Sequence, residues 1–200
     1  VAMMNTGKVK VWDPAVRIFH WSLVIFFTLS YLTGEEESSL HNNAGYIVLG
    51  LVAFRLFWGL VGTRHARFSD FIYGPHTTID YAKSLLDRNP RHYIGHNPLG
   101  GWMIIALLAS ILVTCWSGIE YIGSKGQGPL AGDGVEVITM AVADDDNHEY
   151  EKAHHEEGDE FWEETHEILA NISIVLVIVH ILGVVVASRL HGENLVRAMI

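Results

Sequence analysis

Residues Glu164 to Arg189 read ETHEILANISIVLVIVHILGVVVASR, an almost unbroken apolar run with His166 at its start and His180 further along. As an α-helix this run is long enough to cross the hydrocarbon core of a bilayer, which is roughly 30 Å thick. Fourteen residues separate the two histidines, which is about 21 Å of rise and about 40° of angular offset. Both imidazoles therefore leave nearly the same face of one helix at two depths. Such a helix offers one ligand towards each membrane surface, and other parts of the chain must complete two sites.

Three more apolar runs are expected to span, over about 15–33, 45–61 and 99–122, with the fourth span over 167–188. At 50% hydrophobic residues and a mean hydropathy of +0.24, the 200-residue chain is too apolar for an ordinary soluble domain. It reads as an all-α integral membrane four-helix bundle, one domain over residues 1–200. Ten of the thirteen Lys and Arg residues fall in the N-terminal segment, the segment after helix two and the C-terminal segment. That asymmetry places both termini in the cytoplasm and the 123–165 segment outside a bacterial inner membrane. The net charge of −10 is concentrated in that outer segment, and no nucleic-acid partner is expected. The first run follows Trp12-Asp13-Pro14 and lacks a small-residue cleavage site, so it does not resemble a cleaved signal peptide.

The opposite ligands are two further histidines. In helix one, Asp13 suits an N-cap and Pro14 the first helical position, which puts His20 about two turns inside, near the depth of His180. His41 begins helix two on the outer side, as His166 begins helix four. The expected pairs are His41 with His166 and His20 with His180, an arrangement suited to two haems at two depths. Arg55 lies fourteen residues after His41 inside helix two, where a cation is expensive and marks function. Its fork suits a haem propionate near the inner pair, with Arg17 beside it; snorkelling to the interface is the plainer reading. The lone cysteine, Cys115, excludes an internal disulfide and a Cys-x-x-Cys-His attachment, so any haem is held by iron ligands and packing alone.

The remaining segments say less. Residues 77–86 have Ile79, Ala82, Leu85 and Leu86 at helical spacing, which predicts a short amphipathic helix on the inner surface. His76, His92 and His96 read as surface residues. Trp12, Arg17, Arg64 and His65 are candidates for a quinone site at the inner interface. Helix three has no histidine and is expected to close the bundle as a wall. Glycines within the helices read as packing unless a ligand lies opposite. The 123–165 segment contains thirteen acidic residues together with His148, His154 and His155. It is read as a solvated loop, as a docking surface for a basic redox partner, or as a divalent-metal site.

Together, Trp12-Asp13-Pro14 with Arg17 and His20-Trp21, His41 with Gly45-Tyr46, Arg55, Gly62-Thr63-Arg64 with Arg67-Phe68, Asn97-Pro98-Leu99-Gly100-Gly101, and Thr165-His166-Glu167 through His180 resemble the prokaryotic cytochrome b-561 family. That family includes the b-type cytochrome subunits of nickel-iron hydrogenases, and the likeness runs from Val9 to His191. The resemblance implies a four-helix membrane bundle with two b haems on His20, His41, His166 and His180. It also implies electron transfer between a periplasmic partner, such as a cytochrome c or a hydrogenase-like subunit, and quinone in the membrane. The acidic outer segment is longer than the family pattern suggests. Two alternatives stand beside this reading: a stand-alone oxidoreductase of superoxide or quinol, and divalent-metal transport or sensing through the acidic, histidine-bearing segment.

Overall fold

The computed structural model describes residues 13–34, 38–86, 93, 97–129, 148–192 and 194–199, with the backbone alone at 86, 148–159, 191 and 198. Trp12, His92, His96 and residues 130–147 lie outside the described set. All regular structure among the described residues is helical: α1 (Pro14–Leu32), α2 (Ser39–Val61), a 3-10 turn (Arg64–Ala66), α3 (Phe68–Phe71), α4 (Pro75–Leu86), α5 (Pro98–Ser124), α6 (His148–His191) and α7 (Leu195–Ala198). Stretches Pro14–Leu32, Ser39–Val61, Pro98–Ser124 and Glu160–Leu190 are long and apolar enough to cross a membrane. Ile18, Ile25, Leu60, Val175 and Leu182 are each more than half exposed, outward apolar surface that lipid can cover and water cannot.

Local chemistry sets the helix ends. Asp13 caps α1, its Oδ1 accepting from Ala15 N–H at 2.8 Å, and Pro14 takes the first position as expected. Ser38 Oγ accepts from His41 N–H at the start of α2, and Asn97 Oδ1 accepts from Gly100 N–H ahead of Pro98 in α5. At its far end α5 closes with Gln127 N–H donating to the Ile122 carbonyl and Gly126 N–H to the Gly123 carbonyl. This paired closure needs a left-handed residue, and Gly126 supplies it at φ 69°.

The helix expected over 167–188 is 44 residues long and begins at His148, so the acidic segment is helical from His148 onward and only its earlier part separates α5 from α6. Polarity was the wrong guide to structure here. Glu, Lys and Ala between Glu149 and Glu164 are strong helix formers, and that stretch holds no proline. Helix α4 also differs in its buried face: Tyr81 is 2% exposed while Ile79 is 54% exposed. Tyr81 packs edge-on against Tyr93, as Tyr73 does. Burial, with Tyr93 as second cause, raises both the Tyr73 and Tyr81 phenols above the usual range, which keeps these hydroxyls neutral.

The chain forms two compact units, each taking a stretch of all four spanning helices. The first comprises Val1–Ile25, Gly50–Ile105 and Ile178–Ile200, with Val16, Phe19, Val52, Arg55, Ala66, Phe71, Tyr81 and Ala187 buried. Asp13 fastens its α1 to the end of α2, Oδ2 accepting from Thr63 Oγ1 at 2.7 Å and from Trp58 Nε1 at 3.3 Å. The second comprises Phe26–Leu49 and Ala106–Val177. Its core holds Ala44, Val48, Leu108 and Ile111 together with Thr114, Ser117 and Ser173.

Candidate functional site

In the second unit, α2 and α6 bring His41 and His166 together, with ring centroids 6.0 Å apart and ring planes at 89°. Each ring has one nitrogen already committed. The Nδ1 of His41 lies 2.8 Å from the Ser30 carbonyl, and the Nδ1 of His166 lies 3.0 Å from the Thr114 carbonyl and 3.0 Å from Ser117 Oγ. A carbonyl only accepts, so Nδ1 carries the proton in both rings and Nε2 keeps its lone pair. That is the tautomer of a metal-ligating histidine, fixed by the bond on its other nitrogen.

The spacing fits one metal ion between two imidazoles. Two bonds of about 2 Å from ring nitrogens put the ring centroids about 6 Å apart. A cavity of about 600 Å³ opens beside the pair, lined among others by Phe27, Gly45, Tyr46, Cys115, Gly118 and Lys125, within the size range of cofactor sites. Two of these glycines make room in different ways. A Cβ at Gly45 would meet nothing within 4 Å, whereas one at Gly118 would stand 2.9 Å from His166 Cε1. Gly45 leaves open space, and Gly118 admits the imidazole itself.

The first unit holds His20 on α1 and His180 on α6, both half-buried and close enough for their charges to interact. The Nδ1 of His20 and the Nε of Arg17, one helical turn before it, are buried with no hydrogen-bond partner. A guanidinium N–H and an imidazole nitrogen left unpaired in an apolar setting are costly unless a further group satisfies them. Arg55, 3% exposed, donates from Nη1 to the Ala66 carbonyl at 3.1 Å and lies over the Phe68 and Phe71 rings. The Phe68 ring reaches this position because Gly59 has no side chain; a Cβ there would overlap it. Arg55 is thus held inside the fold by a carbonyl and two aromatic rings rather than reaching out to the interface.

Of the interface candidates, His65 donates from Nδ1 to Asp70 Oδ2 at 3.0 Å, and Arg64 approaches the same carboxylate at 3.9 Å with its side chain 85% exposed. His76 is exposed, as expected. The metal reading of His148, His154 and His155 falls on side chains outside the described set, and among the described residues no group of three or more His, Cys, Asp or Glu could hold a metal ion. Sequence reasoning missed Ser30, Thr114 and Ser117, whereas Gly118 was among the helix glycines read as packing unless a ligand lies opposite. The available signal was the run of hydroxyl residues at Ser110, Thr114 and Ser117 in an otherwise apolar helix.

Comparison with known proteins follows the same line. A probable Ni/Fe-hydrogenase B-type cytochrome subunit from Rhodobacter capsulatus is 28% identical over 155 residues, 60% of this chain and 58% of that protein. One of the same description from Azotobacter vinelandii is 27% identical over 121 residues, 46% of this chain and 50% of that protein. Another, from Azotobacter chroococcum mcd 1, is 25% identical over 154 residues, 62% and 63% of the two chains. The chain therefore spans about half to three fifths of the length of these curated relatives. No solved structure matches it. The model of the prokaryotic cytochrome b561 family matches residues 11–200, and the chain belongs to that family, whose members are haem b proteins of membrane electron transfer.

Proposed function

We propose that this chain binds two b haems in the bacterial inner membrane, one between His41 and His166 and one between His20 and His180, and passes electrons between a periplasmic redox partner and the quinone pool. The observation that carries the reading is the His41–His166 pair: two imidazoles with Nδ1 protons held by carbonyls, Nε2 lone pairs available, and a cavity beside them. Held by these two histidine pairs, b haem would supply one-electron transfer.

The chain's own residues do the remaining work. Ser30 and Thr114 hold the two rings of the outer site in orientation, and Gly45 and Gly118 leave room against the backbone. In the inner site, Arg17 Nε and the remaining N–H groups of Arg55 are the donors for the cofactor's carboxylates. At the inner interface, His65, its Nδ1–H held by Asp70, presents an Nε2 lone pair that can accept from a quinol hydroxyl, with Arg64 and Trp12 as further candidates. The relatives' description favours a hydrogenase-like subunit over a cytochrome c as the periplasmic partner.

The test is a reduced-minus-oxidised absorbance spectrum of the purified chain with extracted haem quantified per polypeptide. About two non-covalent b haems per chain with low-spin spectra are expected from two bis-histidine sites. A colourless protein from haem-sufficient cells overturns the reading. The same assay checks the fit at Gly118. Gly118→Val places a branched side chain where the His166 ring lies, and the expected result is loss of the outer haem alone.

A further inference from the structure

Helix α5 has no histidine, yet it orients one. Ser110, Thr114 and Ser117 stand four and three residues apart, so they share a face of the helix. Opposite them Ser173 of α6, fully buried, lies 2.7 Å from Ser110 Oγ and 3.2 Å from Thr114 Oγ1. At the end of this seam Ser117, 1% exposed, donates to the Thr114 carbonyl at 2.8 Å. Its hydroxyl proton is thereby directed away from His166, and its lone pair accepts the Nδ1 proton at 3.0 Å. The same Nδ1 lies 3.0 Å from the Thr114 carbonyl. His166 Nδ1–H thus sits in a closed fork of two acceptors that are themselves hydrogen-bonded to each other. His41 is held differently, by the Ser30 carbonyl at 2.8 Å and a Ser30 hydroxyl only at 3.4 Å.

Such a fork restrains a ring about the axis of its ligand bond, which a single acceptor does poorly. It also strengthens the ligand, because acceptors on Nδ1–H raise the basicity of Nε2 and favour the oxidised iron. Packing alone does not account for Ser117, since an alanine would fill the same space without a buried hydroxyl that needs partners. We propose that Ser117 is a positioning residue for the iron bound between His41 and His166: it closes the fork on His166, keeps the two imidazole planes perpendicular and lowers the potential of that centre. This rests on the haem reading of the His41–His166 pair. Perpendicular axial imidazoles leave two d orbitals of a low-spin ferric iron almost degenerate, which gives a strongly anisotropic electron paramagnetic resonance signal.

The experiment uses the full chain, wild type, Ser117→Ala and Ser117→Thr, with haem quantification, redox titration by absorbance, and electron paramagnetic resonance. The haem concerned is identified as the one lost in His41→Ala. Ser117→Ala is expected to raise the potential of that haem and make its signal less anisotropic, with the other haem unchanged. Ser117→Thr, which keeps the hydroxyl, is expected to restore both. Loss of that haem in Ser117→Ala but not in Ser117→Thr also supports the proposal. Unchanged potential and signal in Ser117→Ala overturn it, as does an equal effect of the two variants. Failure of the underlying reading is distinguishable, because His41→Ala and His166→Ala would then leave the haem content as it was.

Discussion

Replacing His41 or His166 with alanine lowers the haem content of the purified chain from about two per polypeptide to about one, and replacing His20 or His180 removes the other haem instead. The expectation follows from the division of the four histidines between units: His41 and His166 in the second, His20 and His180 in the first. On the proposed ligation each haem would be held by two histidines with no covalent attachment to fall back on, since Cys115 is the single cysteine of the sequence. Loss of one imidazole would then remove half of the protein's hold on that haem. Extraction and quantification of haem, with redox titration to show which potential has disappeared, check the result. Retention of both haems by any one of the four variants would defeat that ligand assignment.

Arg55→Leu is the second large effect. The guanidinium is the donor to the Ala66 carbonyl in a buried setting and covers two aromatic rings. Removing it leaves that carbonyl unpaired, at about 1–3 kcal/mol, and forfeits cation–π contacts of about 0.5–2 kcal/mol. A loss of about 3 kcal/mol is expected, read as a lower midpoint of thermal unfolding in detergent. Arg55→Lys keeps the charge but not the planar fork and should recover only part of it. A leucine variant with the midpoint of the parent contradicts the assignment. If the inner haem is lost from the leucine variant well below its unfolding midpoint, the arginine also holds a carboxylate of the cofactor.

Much of this was legible in the residues. Asp13-Pro14 announced the start of α1, and the four apolar runs announced the helices that can span, because capping and hydropathy are local properties that tertiary contacts seldom reverse. The histidine positions could be ranked by depth because a helix turns spacing into height. The start of α6 was not legible to the same reasoning. A run of Glu, His and Lys was weighed by its charge, whereas helix formation there depends on propensity and on the absence of proline. The role of α5 was missed for a different reason. Its serines act on a side chain of another helix, and a hydrogen bond between Ser117 and His166 leaves no trace in the local pattern of either. Arg55 stood out in the sequence as a cation inside an apolar run, but its partners, a carbonyl and two rings beyond a turn, depend on how the segment after α2 folds back.

The fastening of Asp13 to Trp58 and Thr63 has a consequence for biogenesis. A chain emerging from the ribosome has α1 and α2 available long before α5 and α6, and N-terminal segments fold first during synthesis. Only a few residues separate α1 from α2 in the chain, and the Asp13 carboxylate bonds to Trp58 and Thr63 at the end of α2. This carboxylate contact can therefore form before α6 is made, whereas on the proposed ligation His20 and His41 would wait for that helix to supply a second histidine to each haem.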